Sequence, residues 1–462
     1  MEKRLHAELN SRDQKYLERS LNAPMWQVVL AVGTPLALYQ GLAVLFTILD
    51  TMMASHISKE SVSAVAYLAQ VSLILSSVGG GLAVGAGIQI SRAYGEGDLL
   101  LVRRRVSSLY AISLGVGLLM LAAIAPFTEA FLRLAGTPEE LIAVGSRYFV
   151  VKLFVMVVTF LNEVYIAVER ARGNARRIFL LNLLVIAVKL SLTAVFVYVL
   201  HCDLTMIAVA SLCSELAMFA FAVRYSLIGG SAFSFSPRAV VLRGRVTMPM
   251  LRQSLPVIAE KALFAFGKTI VNSMCTVYGA LMVGALGVSN NLGGITTNPQ
   301  NGFQQGSSAI ISQNFGAGKH RRVLEAFYAT ALINMVIGAL ISGLELWQLQ
   351  RLAALFDGGS PEFRAMIALC YRYEAWGAVP LGLNAAVLAL LYGLGKTRLT
   401  LVLNFARVFV FRIPVFWFLQ HCTSLGERSV GMVMMISNTA VAVAALAAAL
   451  IVIRNYRKQY NI

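Results

Sequence analysis

The sequence predicts an all-α integral membrane protein with twelve transmembrane helices arranged as two pseudo-symmetric six-helix lobes. Three observations carry that reading: an apolar composition, uncharged runs long enough to cross a bilayer as helices, and an internal repeat at a fixed offset. Of the 462 residues, 58% are hydrophobic and only 13% are charged, and the mean hydropathy is +0.71. A soluble chain of this size must cover its surface with more polar groups.

The apolar runs are each near or above the roughly 20 residues that a helix needs to cross hydrocarbon. They lack the alternation of a β-barrel strand, so the backbone must satisfy its own hydrogen bonds as helix. In order, the expected spans are 27–53, 62–91, 106–132, 143–168, 178–200, 205–225, 253–280, 284–314, 324–348, 365–393, 399–419 and 429–453. The formal net charge is +17, and nucleic-acid binding is one way to use such an excess. Here, however, about two-thirds of the 39 Lys and Arg fall in the termini and alternate connections, the distribution of the positive-inside rule. This places both termini in the cytoplasm and implies no nucleic-acid partner.

Residues 1–26 are largely polar and precede a long first span without a small-residue cleavage site, so no removable signal peptide is expected. Five scattered cysteines and five unclustered histidines give neither a disulfide framework nor metal-ligand spacing. No metal or cofactor is expected. No paired acids, His/Cys cluster or Ser/Lys dyad marks an enzyme, and GEGD at 95–98 lacks the strand and lysine of a phosphate loop.

Self-similarity defines the organisation. Gly81, Gly85, Ser91, Gly95 and Gly97 align with Gly302, Gly306, Ser312, Gly316 and Gly318 at an offset of 221 residues, and Pro35 aligns with Pro256 at the same offset. Asn162, Gly173 and Asn182 align with Asn384, Gly395 and Asn404 at an offset of 222. The glycines read as sites of close helix packing and tight helix exits. Six spans separate the copies, so they share one orientation and are related by an axis along the membrane normal. The expected domains are a cytoplasmic segment 1–26, an N-lobe 27–225, a linker 226–252, a C-lobe 253–453 and a tail 454–462.

Five segments carry a resemblance: LDTMMASHIS at 49–58, ISRAYGEGD at 90–98, ERARGNARR at 169–177, SSAIISQNFGAGKHRRV at 307–323 and YGLGKTR at 392–398. In this order, over nearly the whole chain, the sequence resembles the multidrug and toxic compound extrusion (MATE) family of the multidrug/oligosaccharidyl-lipid/polysaccharide flippase superfamily. The resemblance implies two six-helix lobes and export of organic, often cationic, compounds in exchange for protons or sodium ions. Related flippases move lipid-linked precursors.

Ionisable residues within spans mark cavities or partners, because a lipid-facing charge costs a few kcal/mol or more. Asp50, near the outer end of the first span, either opens the external loop as an interfacial acid or loads and releases the coupling ion. The resemblance supports ion coupling, since LDT matches the family's first-helix motif. In the fifth span the resemblance implies an Asn and then an Asp about one turn apart, where this chain has Val185 and Lys189. Asn182 is retained nearby. In the sixth span Ser211 takes the hydroxyl position, and Glu215 follows one turn later on the same face. Lys189 pairs with Glu215 or Asp50 to hold helices together, or takes the place of a carboxylate in the coupling site. An ammonium there disfavours sodium, so protons are the expected coupling ion.

In the C-lobe, the family's seventh-span Glu position holds Phe264 and its tenth-span Asp position holds Leu383. Glu260, one turn before Phe264, and Glu374 are candidate replacements. Lys261 and Lys268 share the helix of Glu260 and serve pairing or recognition. In the eighth span, Asn298, Gln300, Asn301, Gln304 and Gln305 either hydrogen-bond between helices or line a polar cavity wall. Tyr371, Tyr373 and Trp376 offer aromatic faces to a flat cation or anchor the chain at the interface.

These readings converge on a monomeric exporter of small organic, cationic or amphiphilic molecules in a bacterial-type inner or plasma membrane. It is expected to work by rocking two lobes around a cleft, with membrane lipid as its surroundings. The competing expectations are a flippase of lipid-linked precursors and a narrow-specificity metabolite exporter.

Overall fold

The computed structural model describes residues 9–54, 59–227, 231–242, 244–356 and 359–462, with side chains described except at 44–66 and 144. A short helix α1 (Ser11–Asn22) precedes α2 (Met25–Ala54) and α3 (Lys59–Glu96). There follow α4 (Leu99–Leu134), α5 (Glu139–Arg172), α6 (Ala175–Val199), α7 (Leu204–Leu227), α8 (Gly244–Cys275) and α9 (Ala280–Gly316). The series closes with α10 (His320–Trp347), α11 (Pro361–Gly393), α12 (Thr397–Cys422) and α13 (Arg428–Tyr460).

The twelve helices α2–α13 coincide with the twelve expected spans. Among the described residues, nine are long and apolar enough to cross a membrane by length and composition. The other three are α2, α8 and α9; α8 carries five basic or acidic side chains and α9 a run of amides. Most helices outrun their apolar stretch by a turn or two, because backbone hydrogen bonding continues past the last hydrophobic residue. Two expected segments change accordingly. Residues 244–252 of the linker form the start of α8, and most of the tail 454–462 continues α13. The rest of the linker is packed rather than loose. Ala232 and Phe233 are buried, the Ser236 N–H donates to Ser107 Oγ at 3.1 Å, and the Val241 N–H donates to Ser108 Oγ at 2.9 Å.

The repeated glycines explain four helix exits. Gly97 and Gly318 adopt φ of 78° and 70°, and Gly173 and Gly395 adopt 86° and 73°. Each is followed by a bond from the next N–H to the carbonyl five residues earlier, such as Lys319 to Asn314 at 2.9 Å and Lys396 to Leu391 at 2.7 Å. This is the Schellman termination, which favours glycine in the left-handed conformation.

By their contacts the residues divide into two compact units. The first comprises Met1–Arg19 and Leu45–Ala262, and the second Ser20–Val44 and Leu263–Ile462. Relative to the expected lobes 27–225 and 253–453, the opening halves of α2 and α8 are therefore exchanged. The repeat supplies the reason. In the first unit the start of α8 lies against α3, where a Cβ at Gly85 would be 2.4 Å from Ser254 Cα. In the second unit α2 lies against α9 in the corresponding way, and a Cβ at Gly302 would be 2.5 Å from Ala37 N. Ser254 Oγ also donates to the Leu82 carbonyl at 3.2 Å.

This close approach makes Gly302→Ala costly. Overpacking of this kind typically costs about 1–3 kcal/mol, so the detergent-solubilised variant should melt several degrees below the parent. Gly287→Ala is the control on the same helix, because a Cβ there meets nothing within 4 Å. Equal melting of the two variants would show that α2 does not rely on this contact.

Helix α1 is anchored within the first unit by an ion pair. Arg172 Nη2 lies 2.6 Å from Asp13 Oδ1, with Asp13 only 1% exposed. Arg172 Nε and Nη2 donate three hydrogen bonds to the carboxylate in all, Arg172 Nη1 reaches Glu169 at 2.7 Å, and Tyr94 Oη donates to the Asp13 carbonyl. In the second unit, Arg322 Nη2 donates to the carbonyls of Ser20 and Ala23.

Candidate functional site

The first unit gathers charge around α7. Ser211 and Glu215 lie one turn apart, as expected, and helix α5 supplies their partners. Lys152 Nζ donates to Ser211 Oγ at 3.2 Å, and Asn162 Nδ2 donates to Glu215 Oε2 at 2.7 Å and to its carbonyl at 2.9 Å. Lys152, Lys189 and Glu163 all lie within electrostatic range of Glu215. Lys189 thus belongs to the same charged group as Glu215. Asn182 is turned to its own helix, donating to the Ile178 carbonyl at 2.8 Å. Asp50 falls within residues 44–66, whose side chains lie outside the described residues.

Lys152, Asn162 and Glu163 are the residues that sequence reading missed. Positions 152 and 163 are three turns apart on α5 and so share a face, a signal available in the sequence. Lys261 joins this unit as well. Glu163 and Glu260 lie within its electrostatic range, and Gly80 leaves it room, since a Cβ there would be 2.8 Å from Nζ. Glu260, expected in the C-lobe, is buried and falls by its contacts in the first unit.

A second group occupies the second unit. Glu374 accepts from Ser289 Oγ at 2.5 Å, and Arg412, Lys268 and Arg407 lie within its electrostatic range. Arg407 and Arg412 converge on one neutral acceptor, each donating from Nη2 to Asn438 Oδ1 at 2.9 Å. Arg412 Nε also donates to Ser437 Oγ at 3.0 Å, and the Arg407 guanidinium sits 5.3 Å from the centre of the Phe264 ring. Two cations bound to the same oxygen are within ~6 Å of each other and repel by about 3 kcal/mol at an effective dielectric of ~20.

The local backbone makes this convergence. Pro414 has no N–H to continue the helix, and α12 runs through a π turn at Ala406–Val410, closed by Phe411 N to Ala406 O at 2.8 Å. In an α-helix, residues five apart point about 140° apart. The wider turn restores them to nearly one face, and such turns recur at functional sites.

Glu345 forms a third group that the sequence did not suggest. It is 4% exposed and accepts from Tyr371 Oη and from Thr296 Oγ1, the latter at 2.7 Å. Tyr371 is therefore consumed inside the fold, while Trp376 is 69% exposed, so the two do not form one aromatic wall. Among the amides, Gln300 is buried and bridges helices, donating to the carbonyls of Asn334 and Ala378 at 3.0 Å. Gln304 and Gln305 are half-buried and Asn301 is exposed. A cavity of about 850 Å³ beside α1 is lined by Arg12, Asp13, Arg172, Arg176, Arg177 and Tyr225, among others, and contains none of the expected site residues.

Each half of the chain separately matches the MatE family model, over residues 35–199 and 256–418. The chain belongs to the MATE family. It is a multi-pass membrane transporter, not an enzyme, and the two matched segments begin at the repeated prolines Pro35 and Pro256. This MATE transporter is 21% identical over 428 residues to the probable multidrug resistance protein YoeA of Bacillus subtilis, covering 90% of this chain and 91% of that one. It is 22% identical over 311 residues to the multidrug export protein MepA of Staphylococcus aureus, covering 66% of this chain and 67% of that one. It superposes on an outward-facing MATE family transporter of the MOP superfamily with a TM-score of 0.91, at 19% identity, covering 98% of this chain and 100% of that one. A MOP superfamily transporter from Pyrococcus furiosus, described as having a binding pocket of reverse polarity, matches with a TM-score of 0.90 at 18% identity, covering 97% and 99% of the two chains.

Proposed function

We propose that this MATE transporter is a proton-coupled exporter of small organic molecules, acting as a monomer with both termini in the cytoplasm. Its two six-helix lobes would rock to give alternating access. The named relatives, a multidrug export protein and a probable multidrug resistance protein, support export as the direction. The observation that carries the proton reading is Glu215. It is held by Asn162 and lies within electrostatic range of the acid Glu163 and of the ammonium groups of Lys152 and Lys189. A sodium ion needs several hard oxygen ligands and is repelled by two nearby cations. A proton on Glu215 would instead cancel the carboxylate's attraction for the lysines and change how α5, α6 and α7 pack, giving a two-state element that an ion can bias. Asp50 would serve the same cycle.

The test is efflux of fluorescent dyes from cells producing the chain, compared with Asp50→Asn, with and without an ionophore that collapses the proton gradient. Gradient-dependent efflux that Asp50→Asn lowers several-fold is expected. Sodium-dependent, pH-insensitive transport would sink the proton reading, and equal dye retention with and without the chain would sink the exporter reading.

A further inference from the structure

We propose that the Arg407–Arg412 pair is a binding subsite for an anionic group, so that the cargo is an organic anion bearing a carboxylate or phosphate rather than a cation. This inference names the substrate class of the exporter reading and rests on it for the transport step.

Three cationic side chains, Lys268, Arg407 and Arg412, surround one carboxylate, Glu374. Among the described residues no ion pair within 4 Å joins Glu374 to any of them, and its recorded partner is a serine hydroxyl. The two guanidiniums share a neutral amide oxygen instead. Buried charges are ordinarily paired, because an uncompensated one is expensive. Here the pairing group is missing while the donors are in place. Arg407 Nε is buried without a hydrogen-bond partner, and it lies beside Arg412, only 4% exposed and fixed through Ser437 and Asn438.

The amide that holds the pair is itself wedged, since a Cβ at Gly377 would lie 2.9 Å from Asn438 Nδ2. Arg407, Lys268 and Glu374 each keep part of their surface open, so a ligand can come and go. Planar oxyanions match forked guanidinium donors, and the face of Phe264 under Arg407 suits an apolar or aromatic portion attached to the anion. A structural arginine pair would instead be expected to bond a carboxylate, or to be replaced by neutral residues at no loss.

The experiment uses the full-length protein in detergent and in everted vesicles, with carboxyfluorescein, ethidium, inorganic phosphate and phosphatidylglycerol as probes. The parent is compared with Arg412→Gln, Arg407→Gln and Arg407→Lys, the last as the variant most certain to fold. The half-saturating concentration of carboxyfluorescein should rise about tenfold or more on either change to Gln and less on Arg407→Lys. The proposal is overturned if the parent moves ethidium but neither binds nor moves carboxyfluorescein. It is also overturned if folded variants bind the anions as the parent does. Anion binding that the variants weaken, with no dye moved by the parent, would sustain the subsite and sink the exporter reading. In that case stabilisation by phosphatidylglycerol but not by phosphate assigns the subsite to a lipid headgroup.

Discussion

Glu215→Gln is expected to lower proton-driven export by about tenfold or more while leaving the protein folded. The amide oxygen of Gln can still accept from Asn162 Nδ2, which reaches Glu215 Oε2 at 2.7 Å, so the helix contact survives. What is lost is the charge facing Lys152 and Lys189 and the capacity to bind and release a proton. A coupling group that cannot change charge cannot bias two conformations differently. Glu215→Ala separates packing from charge, since it also removes the side-chain acceptor of Asn162 Nδ2 and leaves only the backbone carbonyl, at about 1–3 kcal/mol. Vesicles with an imposed pH gradient read the first effect and thermal unfolding reads the second. Undiminished gradient-driven export by a folded Glu215→Gln variant would leave Asp50 as the coupling acid and remove Glu215 from the mechanism.

Asp13→Ala should produce the largest loss of stability. Breaking a buried pair by removing one partner costs about 3–5 kcal/mol, and the lower end applies here because Arg172 keeps Glu169 at 2.7 Å. The consequence is local as well as global. With Asp13 gone, α1 loses its ion-paired anchor in the first unit, and trypsin should cut after Arg12, Lys15 or Arg19 at concentrations that leave the parent intact. Asp13→Asn retains part of the hydrogen bonding and should fall between the two. Parent-like melting together with parent-like resistance to trypsin would show that α1 is held by other contacts.

The gap between what the sequence told and what the fold shows can be located in particular residues. Ser211 and Glu215 were legible because both lie on one regular helix, where a four-residue spacing fixes a shared face. Lys152 and Glu163 were equally regular on α5 and went unread for want of a partner to point at. Arg407 and Arg412 were illegible in principle, because the helical period assigns them to different faces until the π turn before Pro414 shifts the phase. The sequence offers Tyr371 either as a ring facing a cation or as an interfacial anchor, because aromatic content says nothing about which hydroxyl finds a buried Glu345.

By itself the sequence determined the membrane class, the twelve helices, the twofold repeat and the family, since each depends on sums or spacings along the chain. Hydrophobic length is additive and survives small errors of phase. Tertiary structure alone decided that the openings of α2 and α8 pack in exchanged units. It also decided which amide orients Glu215 and which cations are left without a carboxylate. Those outcomes depend on rotation about each helix axis, where one extra residue in a turn moves a side chain by about 100°, and on partners that lie on other helices.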